Sequence, residues 1–257
     1  MFRSSLALAL LSAASLTAQA APVMPDFANV PTGWTTDRYE PNSFANVGTY
    51  QGRNNVLGIG ISSAQDFSSR PSGYNSTFYN TQGRQHAIAG GAGSSLSADL
   101  YVNASWRDSA NGHVRTDMWG VMTDGTAVSD YPIIGFTNYG GSARYRVWDD
   151  AGWHDLATAV AYDAWTSFEI LFTGTSYDYF INGASVYSDT GIDGTTGFSA
   201  VIMQAYNFGG GDPNVPNANP VDYTAHWSNT QVPEPTTLAL LGIALAGLGA
   251  TRRRKQV

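Results

Sequence analysis

Strand-type alternation of apolar and polar residues dominates the middle of the chain. The alternating segments are Leu96–Val102, Ala143–Trp148, Phe168–Phe172, Tyr177–Ile181, Val201–Tyr206 and Val221–Trp227. They are rich in β-branched and aromatic residues and are separated by Gly, Asn and Asp, which is typical of strands joined by turns. Between Ala21 and Val232 no sustained helical stripe occurs. The pattern predicts an all-β domain of roughly ten to thirteen strands, a sandwich or a barrel.

Two connections between these strands have clear turn chemistry. Asn182-Gly183 separates Tyr177–Ile181 from Val186-Tyr187, and both of its residues tolerate positive φ, so it predicts a hairpin. Residues 209–220 contain three Gly, three Pro and three Asn. This composition predicts a surface loop before the last strand.

The N-terminal segment reads as a signal peptide of residues 1–20. Arg3 precedes the apolar run Leu6–Leu16, and Ala18-Gln19-Ala20 supplies small residues at a cleavage site. Cleavage after Ala20 is favoured because Pro22 fits poorly directly after a scissile bond. A run of eleven residues is too short to span a bilayer stably, and a buried N-terminal core helix is the weaker alternative. The protein is therefore expected to meet the secretion machinery and signal peptidase.

The C-terminal segment combines a rigid acidic turn, an apolar run and a basic stop. Pro233-Glu234-Pro235 precedes Leu238–Ala250, and Arg252, Arg253, Arg254 and Lys255 follow. Thirteen residues make a helix of about 20 Å, which is short of the roughly 30 Å hydrocarbon core. We expect a short transmembrane helix at 238–250, with the basic tail held in the cytoplasm and the body outside.

This ordered set resembles the PEP-CTERM sorting region of Gram-negative bacteria, over about Val232 to Lys255. The resemblance implies recognition by an exosortase and processing near Pro233-Glu234-Pro235. The protein would then be anchored transiently and released to the cell surface or an extracellular, biofilm-type matrix. The alternative is an ordinary C-terminal anchor whose Pro-Glu-Pro is accidental. The predicted organisation is a signal peptide (1–20), a folded body (21–231) and a sorting region (232–257).

The net charge of the body argues against some classes of partner, and the cysteine content excludes disulfides. Residues 21–232 hold eight Arg, no Lys and nineteen Asp plus Glu, for a net charge of −11. Such a body has little to neutralise phosphates, which argues against nucleic acid and against anionic lipid headgroups. The chain has no Cys, so packing without disulfides must hold the fold.

One stretch suggests a particular sandwich. Trp165–Ile170, followed by Tyr177–Val186 with its Asn-Gly turn, resembles a signature of concanavalin A-like jelly rolls, including laminin-G-type domains. Ala143–Trp153 resembles the strand and turn that precede it, and the match is best over about Trp119–Trp227. The resemblance implies a jelly-roll β-sandwich with Trp165 in the core and the last strand in the sheet that holds the N-terminal strand. Some other jelly roll is the alternative.

Catalytic signals are weak. Catalytic members of this fold usually carry Glu-x-Asp-x-x-Glu on one strand, whereas the body has only Glu40 and Glu169. Glycosidases need two carboxyls about 5–5.5 Å or about 6.5–9.5 Å apart, and no spacing among the Asp residues selects a pair. We interpret Glu40 as a turn residue and Glu169 as a solvent-facing strand residue. The chain has no Gly-x-Ser-x-Gly elbow, and its four His are dispersed, so we predict no enzyme.

Two binding possibilities remain. Oxygen-rich loops at Asp124–Thr126, Asp149-Asp150, Asp189–Asp193 and Asp212–Asn214 leave structural calcium open, although Asp and Asn are also ordinary turn residues. No other cofactor is expected. Aromatic rings beside polar side chains suit the apolar faces of sugars. The candidate glycan contacts are Trp106, Trp119, Tyr139, Trp148, Asp149 and Trp153.

Three hypotheses follow for the body. The leading one is a non-catalytic surface or matrix protein associated with exopolysaccharide. The rivals are a polysaccharide hydrolase or lyase on the same fold, and a purely structural matrix block.

Overall fold

The computed structural model describes residues 21–229, which form two β-sheets packed face to face. The strands are β1 (Ala21–Pro22), β2 (Trp34–Thr36), β3 (Ser43–Asn46), β4 (Leu57–Ile61), β5 (Thr81–Gly90), β6 (Ser94–Val102), β7 (Arg115–Thr123), β8 (Ile133–Thr137), β9 (Arg144–Asp149), β10 (Gly152–Asp155), β11 (Ala164–Phe172), β12 (Tyr177–Ile181), β13 (Ala184–Asp189), β14 (Gly197–Tyr206) and β15 (Tyr223–Ser228). Short 3₁₀ helices span Thr77–Asn80, Ala104–Arg107 and Ser109–Asn111.

Several predictions concern the two ends of the chain. The signal peptide with Ala18 and Ala20, the Pro233-Glu234-Pro235 motif, the apolar run and the arginine cluster lie outside the described residues. Within residues 21–229, no helix combines the length and apolarity that crossing a bilayer requires.

The two sheets have interleaved connectivity. The eight-stranded sheet has the order β13-β12-β11-β6-β15-β4-β3, with β1 paired in parallel to β6. The seven-stranded sheet has the order β10-β9-β8-β7-β14-β5-β2, and its neighbours are antiparallel. The chain changes sheet before and after β5, β6 and β14, so each of these strands lies in the layer opposite the strands that precede and follow it. The predicted all-β jelly-roll sandwich is confirmed.

The core lies between the sheets because each strand turns alternate side chains inward. Leu96, Phe168, Val201 and Met203 are fully buried there. Two buried hydrogen bonds join the layers. Trp227 Nε1 on β15 donates to Thr116 Oγ1 on β7 at 3.0 Å, and the hydroxyls of Tyr145 and Thr166 are 2.8 Å apart.

The predictions for β12, for its Asn182-Gly183 turn and for the loop at residues 209–220 are confirmed. The predicted strand Tyr177–Ile181 coincides with β12. Asn182 (φ 51°) and Gly183 (φ 76°) both adopt the left-handed conformation that a tight hairpin turn requires. Residues 209–220 form a loop before β15, and β15 shares its sheet with β1, as expected.

The prediction that Trp165 belongs to the core is wrong. Thr166 and Phe168 take the inward positions of β11, so Trp165 points outward from the eight-stranded sheet. Its Nε1 donates to Gln51 O at 3.0 Å, and its ring lies 4.7 Å from Arg53 Cζ. Glu169 lies at an alternate position on the same outer face, as predicted.

Candidate functional site

A row of polar residues crosses the outer face of the seven-stranded sheet. Residues directly opposite one another from β10 to β5 are Asp155, Arg146, Gly135, Asp117, Gln204 and Gly83. Their strand neighbours, such as Tyr145 and Met118, point into the core. At both glycines of the row, atoms of the Asp117–Gln204 pair occupy the position where a β-carbon would lie.

Asp117 is the centre of this row and is fully buried. Its Oδ2 accepts hydrogen bonds from Arg115 Nε at 2.7 Å and Gln204 Nε2 at 2.6 Å. Arg146 Nη2 lies 3.8 Å from the same oxygen. Among the described residues, Asp117 Oδ1 and Gln204 Oε1 have no hydrogen-bond partner. A buried polar atom without a partner is costly, so each of these oxygens needs a hydrogen-bond donor from outside the side chains of residues 21–229.

Arg146 is held under an aromatic ring. Its side chain is 10% exposed, and its Cζ lies 3.6 Å from the centre of the Trp153 ring. Arg115 Cζ lies 4.8 Å from that ring. Burial lowers the pKa of Arg146 to about 9, and the like charge of Arg115 adds to this shift. The cation–π contact offsets part of the cost of burying the guanidinium.

A second arginine reaches the row from the segment after β2. Arg38 Cζ lies 4.7 Å from the Trp119 ring and 4.9 Å from the exposed ring of Phe78. Tyr131, also exposed, packs against Trp119 at 6.2 Å. The segment is fixed to β5, because Asp37 N donates to Gly83 O (3.1 Å) and Gly83 N donates to Tyr39 O (3.2 Å). Burial lowers the pKa of Arg38.

An apolar row runs beside the polar one. Trp119, Ile133, Trp148 and Trp153 lie opposite one another on β7 to β10. The rings of Trp148 and Trp153 are 5.4 Å apart. We call the two rows, together with the neighbouring arginines Arg38 and Arg115, the Arg–Trp face. Its side chains are those of Arg38, Arg115, Asp117, Trp119, Arg146, Trp148, Trp153 and Gln204. The aromatic and the polar row are thus two residues apart along each strand, roughly 7 Å.

The structure brings together three of the six predicted glycan contacts, namely Trp119, Trp148 and Trp153. Asp149 ends β9 beside them, where its Oδ1 accepts from Ala151 N at 2.9 Å and its Oδ2 from Tyr187. The other two lie elsewhere. Trp106 is buried in the main core, 5.6 Å from the ring of Phe136. Tyr139 packs 5.3 Å from Phe208 and donates its hydroxyl to Pro216 O.

Sequence reasoning missed Arg38, Arg115, Arg146 and Gln204 as members of the site. A usable signal was present in the alternation of Arg144-Tyr145-Arg146 and Arg115–Trp119. Arginine is rarely fully buried in a core, so charged residues at alternate positions mark the outward face of a strand. Arg38 and Gln204 carry no such signal, because pairing between distant segments places them.

The carboxylates of the candidate calcium loops are engaged in turn and loop contacts. Asp124 Oδ1 accepts from Thr126 N (2.7 Å) and Ala127 N (2.8 Å). Asp189 Oδ1 accepts from Gly191 N at 2.8 Å, and Asp212 Oδ2 accepts from Asn80 Nδ2 at 2.6 Å. Within residues 21–229 no three His, Cys, Asp or Glu side chains are grouped as metal ligands would be. Structural calcium stays a prediction.

One carboxyl away from the polar row has an unusual pKa. Asp130 is 6% exposed, and burial, with Asp150 nearby, raises its pKa to about 7. Tyr131 N donates to its Oδ1 at 2.5 Å. Of the two body glutamates, Glu40 forms an ion pair with Arg84 at 2.7 Å, at the edge of the sheet.

An open depression of about 280 Å³ lies across β3, β4 and β15, on the other sheet. It is lined by Asn42, Ser43, Asp222 and Thr224, among others. Asp222 Oδ1 already accepts from Ser63 N (2.7 Å) and Ser63 Oγ (2.8 Å). This depression therefore offers fewer unengaged polar groups than the Arg–Trp face.

Comparison with solved structures finds sandwiches of distant sequence. A β-glucanase of Bacillus licheniformis is 15% identical, with a TM-score of 0.46, and the match covers 79% of this chain and 94% of that one. A β-1,3-1,4-glucanase (lichenase) from a mouse hindgut metagenome is 12% identical, with a TM-score of 0.46 and coverages of 79% and 95%. The carbohydrate binding module CBM66 of Bacillus subtilis is 10% identical, with a TM-score of 0.38 and coverages of 68% and 91%.

No curated protein matches the chain significantly in sequence. One family model does match, over residues 231–255, and it describes the PEP-CTERM protein-sorting motif. The match covers Pro233-Glu234-Pro235, the apolar run and the basic cluster through Lys255. The chain thus carries a PEP-CTERM sorting signal directly after its β-sandwich, and this signal implies export and recognition by an exosortase.

Proposed function

We propose that this protein is an exosortase-processed surface or matrix protein whose sandwich binds glycan, without catalysis, on the Arg–Trp face. The sorting signal supports delivery outside the cell, where polysaccharide is an available partner. The aromatic and polar side chains of the Arg–Trp face would contact the sugar.

The observation that carries the proposal is a row of aromatic rings beside a row of polar side chains. Trp148 and Trp153 are partly exposed and lie opposite each other, next to the opposed pair Arg146 and Asp155. Sugars present an apolar face of C–H groups and a rim of hydroxyls that both donate and accept hydrogen bonds. A surface with aromatic and polar rows side by side matches both features.

The carboxylate arrangement supports binding over hydrolysis. The body has two glutamates, Glu40 and Glu169, and neither stands in a Glu-x-Asp-x-x-Glu pattern. Asp117, the carboxylate at the centre of the face, is engaged in an ion pair with Arg115. Asp130 has a raised pKa, but its near neighbour Asp150 interacts with it directly, whereas a glycosidase keeps its two carboxyls at least about 5 Å apart.

The test is binding of full-length protein, purified in a non-ionic detergent, to immobilised polysaccharides. Trp148→Ala and Trp153→Ala should each weaken binding roughly tenfold, because each removes a partly exposed ring on which a sugar can stack. Trp165→Ala is the matched control, since Trp165 lies on the outer face of the opposite sheet and also contacts an arginine. Release of reducing ends from a bound polysaccharide would instead establish the hydrolase, and unsaturated products would establish the lyase. Absence of binding to every polysaccharide would favour the purely structural role.

A further inference from the structure

The Arg–Trp face is locally cationic on a strongly acidic body. Residues 21–232 carry a net charge of −11. In and beside this face, four arginines (Arg38, Arg115, Arg144 and Arg146) meet three carboxylates (Asp37, Asp117 and Asp155). One guanidinium charge is therefore left over among these seven groups, whereas over residues 21–232 acidic groups outnumber basic ones more than two to one.

The four arginines are not paired equally well with the three carboxylates, and the least paired arginine carries the excess charge. Arg144 Nε is 2.7 Å from Asp155 Oδ1, and Arg38 Nε is 3.7 Å from Asp37 Oδ2. Asp117 is the nearest carboxylate to both Arg115 and Arg146, but its hydrogen bond goes to Arg115. Arg146 is left at 3.8 Å, beyond hydrogen-bond distance.

Arg146 is thus a buried cation whose donors are not all used. Within residues 21–229, its Nε and Nη2 have no hydrogen-bond acceptor. Stacking on Trp153 satisfies the flat face of the guanidinium, but its N–H groups lie in the plane and still require acceptors. Burial of an incompletely paired charge is unfavourable, and an incoming anion relieves it.

Resting on the proposed glycan binding, we propose that the ligand is an acidic polysaccharide, and that the acid group of one sugar unit binds Arg146 beside Arg115 and Arg38. A single carboxylate or sulfate ester matches the one excess positive charge. The guanidinium fork suits such an oxygen pair, because it donates two roughly parallel hydrogen bonds. The sugar ring that bears the acid group then lies over Trp119 or Trp153.

The experiment compares full-length protein in non-ionic detergent against five immobilised polysaccharides. Alginate and polygalacturonate carry carboxylates, dextran sulfate carries sulfate esters, and laminarin and dextran are neutral. We expect at least one acidic class to bind about tenfold more tightly than the neutral polysaccharides, with affinity falling as NaCl is raised. Preference for the first pair identifies a uronate ligand, and preference for dextran sulfate identifies a sulfate ester.

Variants separate specific recognition from general attraction. Arg146→Gln should weaken binding of the acidic polysaccharide about tenfold and so remove its preference over the neutral ones. Arg38→Gln is the second variant, because the Arg38 side chain is 21% exposed and its loss is tolerated more easily by the fold. Arg53→Gln is the matched control, since Arg53 pairs with Asp99 and stacks on Trp165 on the opposite sheet. Far-UV circular dichroism checks that each variant is folded.

Several results would overturn this inference while leaving glycan binding intact. These are equal affinity for acidic and neutral polysaccharides, or acidic binding that survives both Arg146→Gln and Arg38→Gln. An equal loss on Arg53→Gln would also overturn it, because it would show non-specific attraction. Failure to bind any of the five would count against the proposed function itself.

Discussion

Asp117 and Gly135 lie directly opposite each other on β7 and β8, and Asp117 Oδ1 occupies the space that a side chain at position 135 would need. A β-carbon on Gly135 would overlap that oxygen and the carbonyl oxygen of Thr116, and it would lie 2.7 Å from Asp117 Cα. The conformation of the central carboxylate of the Arg–Trp face thus depends on the absence of one methyl group.

Gly135→Ala should therefore lower the free energy of unfolding by about 1–3 kcal/mol, because two adjacent strands must separate to admit the methyl group. It should also weaken glycan binding by displacing Asp117. Urea denaturation measures the first effect. Gly91→Ala is the control, since a β-carbon there meets nothing closer than 3.8 Å, and an equal loss in both variants would contradict the steric argument.

Stability should depend on pH through Asp130. Its pKa is raised to about 7 in the folded protein, whereas an unfolded Asp titrates near 3.9. The folded state then holds a proton that the unfolded state has lost between these values. The contribution of Asp130 to the free energy of unfolding is fully present below about pH 4. It falls as pH rises towards 7, by at most about 1.4 kcal/mol per pH unit.

Asp130→Asn should remove this dependence, since the amide stays neutral at every pH. Thermal unfolding of both proteins from pH 4 to pH 8 measures the difference, and the variant should be the more stable one at pH 8. Asp193→Asn changes an exposed aspartate and serves as the control. Parallel pH profiles for native protein and Asp130→Asn would show that Asp130 does not titrate in this range.

The hydrogen bond between the sheets should contribute measurably to stability. Thr116→Val keeps the shape of the side chain but removes the acceptor of the buried Trp227 N–H. An unsatisfied buried donor costs about 1–3 kcal/mol, so the denaturation midpoint should fall accordingly. Thr190→Val, at an exposed position, is the control and should change the midpoint little. A Thr116→Val variant as stable as the native protein would mean that the Trp227 N–H finds another acceptor.

Processing should depend on the sorting motif. Glu234→Ala should leave export intact while the protein stays membrane-bound at full length, because the exosortase no longer recognises the motif. Mass spectrometry of the C-terminal peptide in the surface or medium fraction gives the readout. Glu169→Ala, in the body, should be processed normally. Detection of native protein ending at Val257 in the released fraction would exclude cleavage at this motif.

The sequence predicts those parts of the fold that depend on neighbouring residues. Alternation places β12 correctly, and the Asn182-Gly183 pair fixes its turn, because both signals act over a few residues. Trp165 shows the limit: alternation gives two faces to β11 but does not say which one is buried. Here the inward set is decided by Thr166 and Phe168, which pack across the sandwich against Tyr145. Phe168 also contacts Trp227 of its own sheet.

The site is less predictable than the fold. Trp119, Trp148 and Trp153 could be proposed as sugar contacts from their residue type and neighbours. The polar row could not be proposed, because Arg146, Asp117 and Gln204 are distant in sequence and are aligned only by the register of β9, β7 and β14. Trp106 and Tyr139 have similar local sequence but lie elsewhere, since burial depends on how the layers pack.

The position of β15 in its sheet has a mechanical consequence. β15 ends at Ser228, immediately before the sorting region, and it is hydrogen-bonded to β4 on one side and to β6 on the other. A pull on the C-terminal attachment acts along the strand, so it loads both ladders in shear at once. Hydrogen bonds loaded in shear must rupture together, whereas an edge strand pulled sideways unzips one bond at a time. Tension between a tethered C-terminus and a polymer held on the opposite sheet is thus borne by an interior strand that is paired on both sides.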